Sequence, residues 1–214
     1  LKDVDLMVKL TKAVIRSTDL PVTVKTRLGW DENSINIDEV AERLQDIGVQ
    51  ALSIHGRTRA QLYKGEADWS HIARVKNNPR ITMPIFGNGD ITSVEKALEY
   101  KNKYGVDGIM IGRAAIGYPW IFNEIKHYAA TGTHLPKPTI EDRVEAAKNH
   151  LQWAMDWKGQ HLGIVETRRH YTNYFKGLPN FKEYRTQMVT SEDPEYIFET
   201  FNTVLEKFSG MEIL

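Results

Sequence analysis

The stretch Ala51-Leu52-Ser53-Ile54-His55-Gly56-Arg57-Thr58-Arg59 decides how this chain is read. Four residues alternate as a strand, with Leu52 and Ile54 on one face and Ser53 and His55 on the other. The strand ends in an imidazole, a glycine and two guanidiniums. An imidazole hydrogen-bonds a carbonyl or a ring nitrogen. A guanidinium forks onto a phosphate. The pattern suits a strand end that holds a planar, anionic ligand, whereas an ordinary surface turn would need no such clustering.

Working outward, the same design recurs. Upstream, Pro21-Val22-Thr23-Val24-Lys25-Thr26-Arg27 reads as a β-branched strand whose first residue, Pro, is tolerated there. Val22, Val24 and Thr26 share one face; Thr23, Lys25 and Arg27 share the other. A lysine on an inward face needs an anion or an acceptor to meet it, which makes Lys25 a candidate ligand-binding residue. Downstream, Pro84-Ile85-Phe86-Gly87 is a third strand and Val106–Ile111 a fourth. Between them fall helices: one opened by Asn36 and Glu39 as a capping box and closed by Gly48, a short one at 70–77, and one opened by Thr92 and Glu95 and closed by Gly105. A further helix over 4–18 carries Leu6, Leu10, Ala13 and Val14 on one side.

Strands alternating with helices predict parallel strands joined by crossovers, in a (β/α) barrel or an open doubly wound sheet. Polar residues crowd the C-terminal ends of all four strands, where barrel active sites are built. The expected fold class is therefore α/β, the C-terminal half of a (β/α)8 TIM barrel. Gly87-Asn88-Gly89-Asp90 reads as a strand-to-helix loop whose bare backbone N–H groups approach a phosphate, and Gly112-Arg113 repeats it one unit later. Four strands are half of a closed barrel and leave two open edges. The expectation is a missing half barrel upstream of Leu1, or a second copy that completes the ring.

From Thr133 the pattern changes. Residues 133–138 carry two prolines and read as a linker. Residues 139–214 read as four helices and no strand, an all-α helical bundle, after a partial barrel domain at 1–132. Thr139 with Asp142 caps the first of these helices. Residues 137–185 hold nine Lys/Arg against six Asp/Glu, and 186–214 one against six. Arg168, Arg169, His170 and Lys176 make the middle of this domain basic, with aromatics interleaved, as an RNA-contacting face would be. Trp153 and Trp157 are expected in the bundle core, as are Tyr174 and Phe175.

Composition excludes several classes. The 214 residues carry 28 Lys+Arg and 28 Asp+Glu, so any nucleic-acid surface is local. There is no cysteine, hence neither a disulfide framework nor a thiolate metal site. No metal ligand set is read elsewhere, and no apolar run approaches the ~18 residues of a membrane span.

With these residues laid out, the chain resembles the tRNA-dihydrouridine synthase family, most closely its bacterial B-like branch. The resemblance rests on residues 21–30, on His55-Gly56-Arg57-Thr58-Arg59 with Tyr63, Gly65, Ala67 and Trp69, on Gly87–Ile91, on Ile111–Ala115, and on Arg169-His170 with Lys176–Pro179. It implies an FMN-binding barrel followed by a tRNA-binding helical domain, reducing uridine in tRNA to 5,6-dihydrouridine with NADPH as reductant, in the cytoplasm. By resemblance Lys25 and His55 meet the flavin and the uracil. Asn88, Gly89, Asp90, Gly112 and Arg113 form the rest of the FMN site, the last two at the phosphate. Arg57 and Arg59 meet substrate or phosphate. The family's acid is a cysteine, which this chain lacks; the expectation is that it lies upstream of residue 1 and that the 214 residues alone are not a competent catalyst. Two other readings are another FMN-barrel oxidoreductase acting on a small molecule and a non-catalytic RNA-binding protein on a degenerate half barrel.

Overall fold

A computed structural model describes residues 1–211. The chain divides into two compact units, Leu1–Arg113 and Ala114–Leu214.

The first unit alternates helix and strand: α1 (Val4–Arg16), β1 (Thr23–Arg27), α2 (Ile37–Asp46), β2 (Ala51–His55), α3 (Ser70–Lys76), β3 (Ile85–Asn88), α4 (Val94–Tyr104) and β4 (Gly108–Met110). The four strands pair in parallel in the order β1-β2-β3-β4. Each crossover adds the next strand on the same side, so the order has no reversal of the kind that marks a doubly wound sheet.

Register fixes which side chains share a face. Val24, Leu52 and Ile85 align in one row, and Thr26, Ile54, Gly87 and Ile109 in the next. That face is covered: Leu52, Ile54 and Ile85 are fully buried, as are Ile37, Val40, Ala41 and Leu44 of α2, Ile72 and Val75 of α3, and Ala97 of α4. The opposite face carries Lys25, Ser53, Phe86 and Gly108 in one row and Arg27, His55, Asn88 and Met110 in the next. Lys25 is exposed and Ser53, Phe86 and Gly108 are half-buried.

Helix ends depart from the sequence reading in two places. Asn36 stands at the head of α2 but makes no capping bond: its Nδ2 donates to the Leu1 carbonyl, and its Oδ1, the atom a cap would use, is buried with no partner among the described residues. Asp31 and Ser34 form a capping box around a 3₁₀ turn one step earlier. For α4 the cap is Ser93, whose hydroxyl accepts from the Lys96 N–H, and not Thr92; Ser93 has the extended backbone that a cap needs. Gly105 closes α4 in the left-handed conformation, as expected. The apolar face of α1 is present but uncovered, with Leu6, Leu10 and Val14 all about half exposed.

The second unit contains α5 (Ile121–Thr131), α6 (Ile140–Lys158), α7 (Gln160–Tyr174), α8 (Lys182–Thr190) and α9 (Pro194–Phe208). The capping box at Thr139 and Asp142 opens α6. The core gathers Val144, Ala147 and Leu151 of α6, Ile164 and Tyr171 of α7, Met188 of α8 and Phe201 of α9. Tyr174 and Phe175 lie in it as read from sequence. Trp153 and Trp157 do not: they are 68% and 81% exposed. The reason is helical phase. Val144, Ala147 and Leu151 take the inward stripe, and positions two and six after Leu151 point away from it.

A buried charge that sequence reading missed sits beside this core. Arg143 is buried, donating to the carbonyls of Pro138 and Tyr174 with its guanidinium over the Tyr118 ring. Glu124, also buried, accepts from the Tyr118 hydroxyl and from Lys137.

Candidate functional site

The polar row at the strand ends is a consequence of register. Because β1, β2 and β3 are parallel and aligned, Arg27, His55 and Asn88 fall side by side on the face opposite the helices, with Lys25 one row below Arg27. Asn88 turns its amide Nδ2 onto the Met110 carbonyl at 2.7 Å, which ties β3 to the end of β4.

The loop after β2 folds over this row and is held by the two arginines. Arg27 donates to the Thr58 and Leu62 carbonyls at 2.7 and 2.9 Å. Arg57 is 2% exposed and forks onto Asp90, Nη1 to Oδ1 at 2.9 Å and Nη2 to Oδ2 at 2.7 Å. Its Nη2 also donates to the Gly65 carbonyl and its Nε to that of Lys64. Asp90 further accepts from the Ala67 N–H at 2.8 Å and from Arg113 at 3.0 Å. Tyr63 lies under both outer guanidiniums, with Arg113 4.7 Å and Arg27 5.8 Å from its ring centroid, and the His55 ring 6.4 Å away.

Glycines serve different ends here. Gly89 has φ of +126°, and a Cβ on it would meet Ala67 Cβ at 2.5 Å and His55 Cδ2 at 3.0 Å, so the turn and the close approach both require it. Gly87, expected as bare backbone near a phosphate, has instead a packing reason: a Cβ there would run into the Trp69 indole. Gly112 has open space beside it.

Electrostatics follow from this crowd of cations around one carboxylate. Burial opposes ionisation of Asp90, but the Arg57 and Ala67 hydrogen bonds and the charges of Arg57 and Arg113 hold its pKa below the usual carboxylate range. Burial, then the charge of Arg27, lowers the Lys25 ammonium. Burial, with Arg27, Lys25 and Arg57 beside it and only Asp90 opposing, depresses His55 to about 4, so the ring is neutral at pH 7.

The structure thus brings Lys25, His55, Arg57, Asn88, Gly89, Asp90 and Arg113 together in the first unit. Arg59 is exposed on the same loop. Arg57, expected to meet substrate or phosphate, has its donors engaged within the protein. Tyr63 and Arg27 were not singled out as site residues; the signal for Arg27 was there, two positions after Lys25 on the same face. A hollow of about 500 Å³ is lined by Asp31, Gln61, Lys64 and others of this loop and of the turn after β1, and by none of the strand-end residues. The basic residues of α7 belong to the second unit. Arg168 is half-buried and donates to the Ser191 carbonyl at 2.8 Å. Arg169 donates to His170, whose ring lies 4.7 Å from that of His150. Lys176 is exposed.

Comparison with known proteins agrees with this arrangement. The sequence profile described as "Dihydrouridine synthase (Dus)" matches residues 1–209. The chain belongs to the dihydrouridine synthase family. Among similar proteins of the family, the "Probable tRNA-dihydrouridine synthase" of Rickettsia conorii is 40% identical over 210 residues, covering 96% of this chain and 63% of that protein. The "Probable tRNA-dihydrouridine synthase 1" of Synechocystis sp. is 45% identical over 179 residues, covering 84% of this chain and 50% of that one. The "tRNA-dihydrouridine synthase B" of Pseudomonas aeruginosa is 42% identical over 195 residues, covering 91% and 58%. The chain therefore spans between half and two thirds of the length of these family members.

Proposed function

We propose that this chain supplies the flavin-facing strand ends and the tRNA-contacting helices of an FMN-dependent tRNA-dihydrouridine synthase. The observation that carries the reading is the pairing of His55 and Asn88 in one row, with Lys25 in the row below, on the sheet face opposite the helices, in a chain whose family match runs over residues 1–209. In this reading residues 1–132 form the last four strands and helices of a (β/α)8 barrel, 133–138 a linker and 139–214 the RNA-binding domain. Closing such a sheet takes four more strands, from a preceding half barrel or from a second copy.

The donor set suits FMN. Lys25 is a cation on an open face, His55 is neutral, and Asn88 has its amide N–H on Met110 and its carbonyl left for a ligand N–H. Arg113, with 59% of its side chain exposed, stands at the end of β4 beside the bare backbone of Gly112 and meets the phosphate. Gly89 lets the backbone turn close to the His55 ring. Asp90 and Arg57 hold this arrangement from behind. When bound, FMN reduced by NADPH supplies a hydride to one carbon of the uracil 5,6 double bond. The protein's part is position and charge: Lys25 would stabilise negative charge on a ring bound beside it, and His55 would orient that ring. The other carbon takes a proton from an acid that is not a cysteine of these 214 residues. The target uridine must leave its stack to lie on the flavin; Arg59 reaches substrate from the β2 loop, and Arg169 and Lys176, with His170 and Arg168 behind them, meet tRNA phosphates.

Titration of FMN fluorescence with the 214-residue chain tests the site. Saturable quenching is expected, with Lys25→Ala and Arg113→Ala each weakening binding about tenfold, equal to about 1.4 kcal/mol. No saturable binding to the unsubstituted chain overturns the claim that these four strand ends form a flavin site without the other four strands. Binding of tRNA should weaken steeply with salt and weaken further in Arg169→Ala.

A further inference from the structure

We propose that the Arg57–Asp90 pair fixes the His55 imidazole in its Nδ1–H tautomer, so that His55 meets a ligand as a hydrogen-bond donor through Nδ1. Arg57 and Asp90 are then positioning residues that act through His55. The inference deepens the flavin reading, but its test needs no flavin, so the two stand or fall separately.

The argument starts from the guanidinium, which has five N–H donors in a rigid plane and no acceptor. Four directions are taken: Nε by the Lys64 carbonyl, Nη2 by the Gly65 carbonyl and Asp90 Oδ2, and Nη1 by Asp90 Oδ1. The remaining Nη1 hydrogen faces His55 Nε2 at 3.5 Å. A group that only donates can be met there only by a lone pair. An Nε2–H would set two N–H groups head to head, and an imidazolium would add a like charge among Lys25, Arg27 and Arg57, against the single carboxylate of Asp90. Nε2 therefore carries the lone pair and Nδ1 the hydrogen.

The clamp cannot turn to suit the other tautomer. The bidentate contact with Asp90 orients the guanidinium plane. Asp90 is itself fixed, at φ of +55°, by the Ala67 N–H and by Arg113. The ring is also held by backbone. Gly89 lies so close that a Cβ would come within 3.0 Å of Cδ2 and 3.3 Å of Nε2. The Cδ2–Nε2 edge is thus packed against protein, and among the described residues only Arg57 hydrogen-bonds the ring. What Nδ1–H recognises is a carbonyl oxygen or an unprotonated ring nitrogen; a ligand that offers only N–H at that point is refused.

The experiment is a long-range ¹⁵N–¹H correlation spectrum of the histidine-labelled 214-residue chain at pH 7, which separates pyrrole-type from pyridine-type ring nitrogens. The His55→Gln variant identifies the His55 signals, and the other six histidines report that the fold is kept. The expected result is Nδ1–H over Nε2–H by at least tenfold, falling below threefold in Asp90→Asn and restored in Asp90→Glu. A dominant Nε2–H form in the unsubstituted chain overturns the proposal whether or not Asp90→Asn folds. An unchanged ratio in a folded Asp90→Asn overturns the role given to the pair.

Discussion

Substituting Gly87 by alanine tests how the site is held up from below. Gly87 lies on the helix-covered face, opposite the functional row, where Trp69 packs on it. A Cβ at Gly87 would stand 2.0 Å from Trp69 Cζ3 and 2.4 Å from Cη2, against about 3.5–4.0 Å for an ordinary carbon contact. The indole must retreat by roughly 1.5 Å, and it has nowhere easy to go. It is 1% exposed, its ring centroid is 5.0 Å from that of Tyr100 and 5.6 Å from that of Tyr104, and its Nε1–H donates to the Gly89 carbonyl at 3.0 Å. Overpacking costs about 1–3 kcal/mol, and stranding the buried indole N–H about another 1–3. Stiffening of the unfolded chain returns roughly 0.4–1 kcal/mol. The net destabilisation is about 3 kcal/mol, a fall of about 1.5 M in urea midpoint for a slope near 2 kcal/mol/M. Urea unfolding followed by near-ultraviolet circular dichroism of the aromatic cluster reads it. Gly108→Ala is the internal control. Its Cβ would also come close, 2.5 Å from Phe86 Cδ1, but that ring is half-buried on the open face and can swing aside, so the cost stays below about 1 kcal/mol. Equal effects at the two glycines, or a loss at Gly87 of under about 0.5 kcal/mol, would refute the reasoning.

Other outcomes follow from the same structure. His55 has a folded pKa near 4 against an ordinary 6.5, so the unfolded chain binds the extra proton first and stability falls as pH drops from about 6.5 through 4. His150 and His170 are lowered as well, so the check is the difference in urea midpoint between pH 7 and pH 4.5, which should shrink in His55→Gln; an undiminished difference refutes it. Trp157→Ala should change stability by less than about 0.5 kcal/mol, whereas Phe201→Ala, fully buried in the bundle, should cost about 3–5; thermal melts of the two variants decide. Thr139→Ala removes the capping box of α6 and should cost about 1 kcal/mol, read by the same melts.

The sequence by itself determined the alternation of strand and helix, the direction of the strands and the crowding of cationic and amide groups at their C-terminal ends. These are local matters. Period-two patterning fixes which side chains share a strand face, and capping residues and glycines such as Thr139 and Gly105 fix where helices begin and stop. It also carried the family, since the strand-end motifs run in order along the chain. What only the tertiary structure decided depends on partners distant in sequence. Arg57 and Asp90 are 33 residues apart, and nothing local says that one will occupy the other. Gly87 is explained by an indole eighteen positions earlier in the chain, and the side to which Trp153 and Trp157 turn is set by which stripe of α6 the bundle claims. Burial and pairing are properties of the packed molecule. Sequence spacing names the groups that can do chemistry, and packing settles which of them are left free to do it.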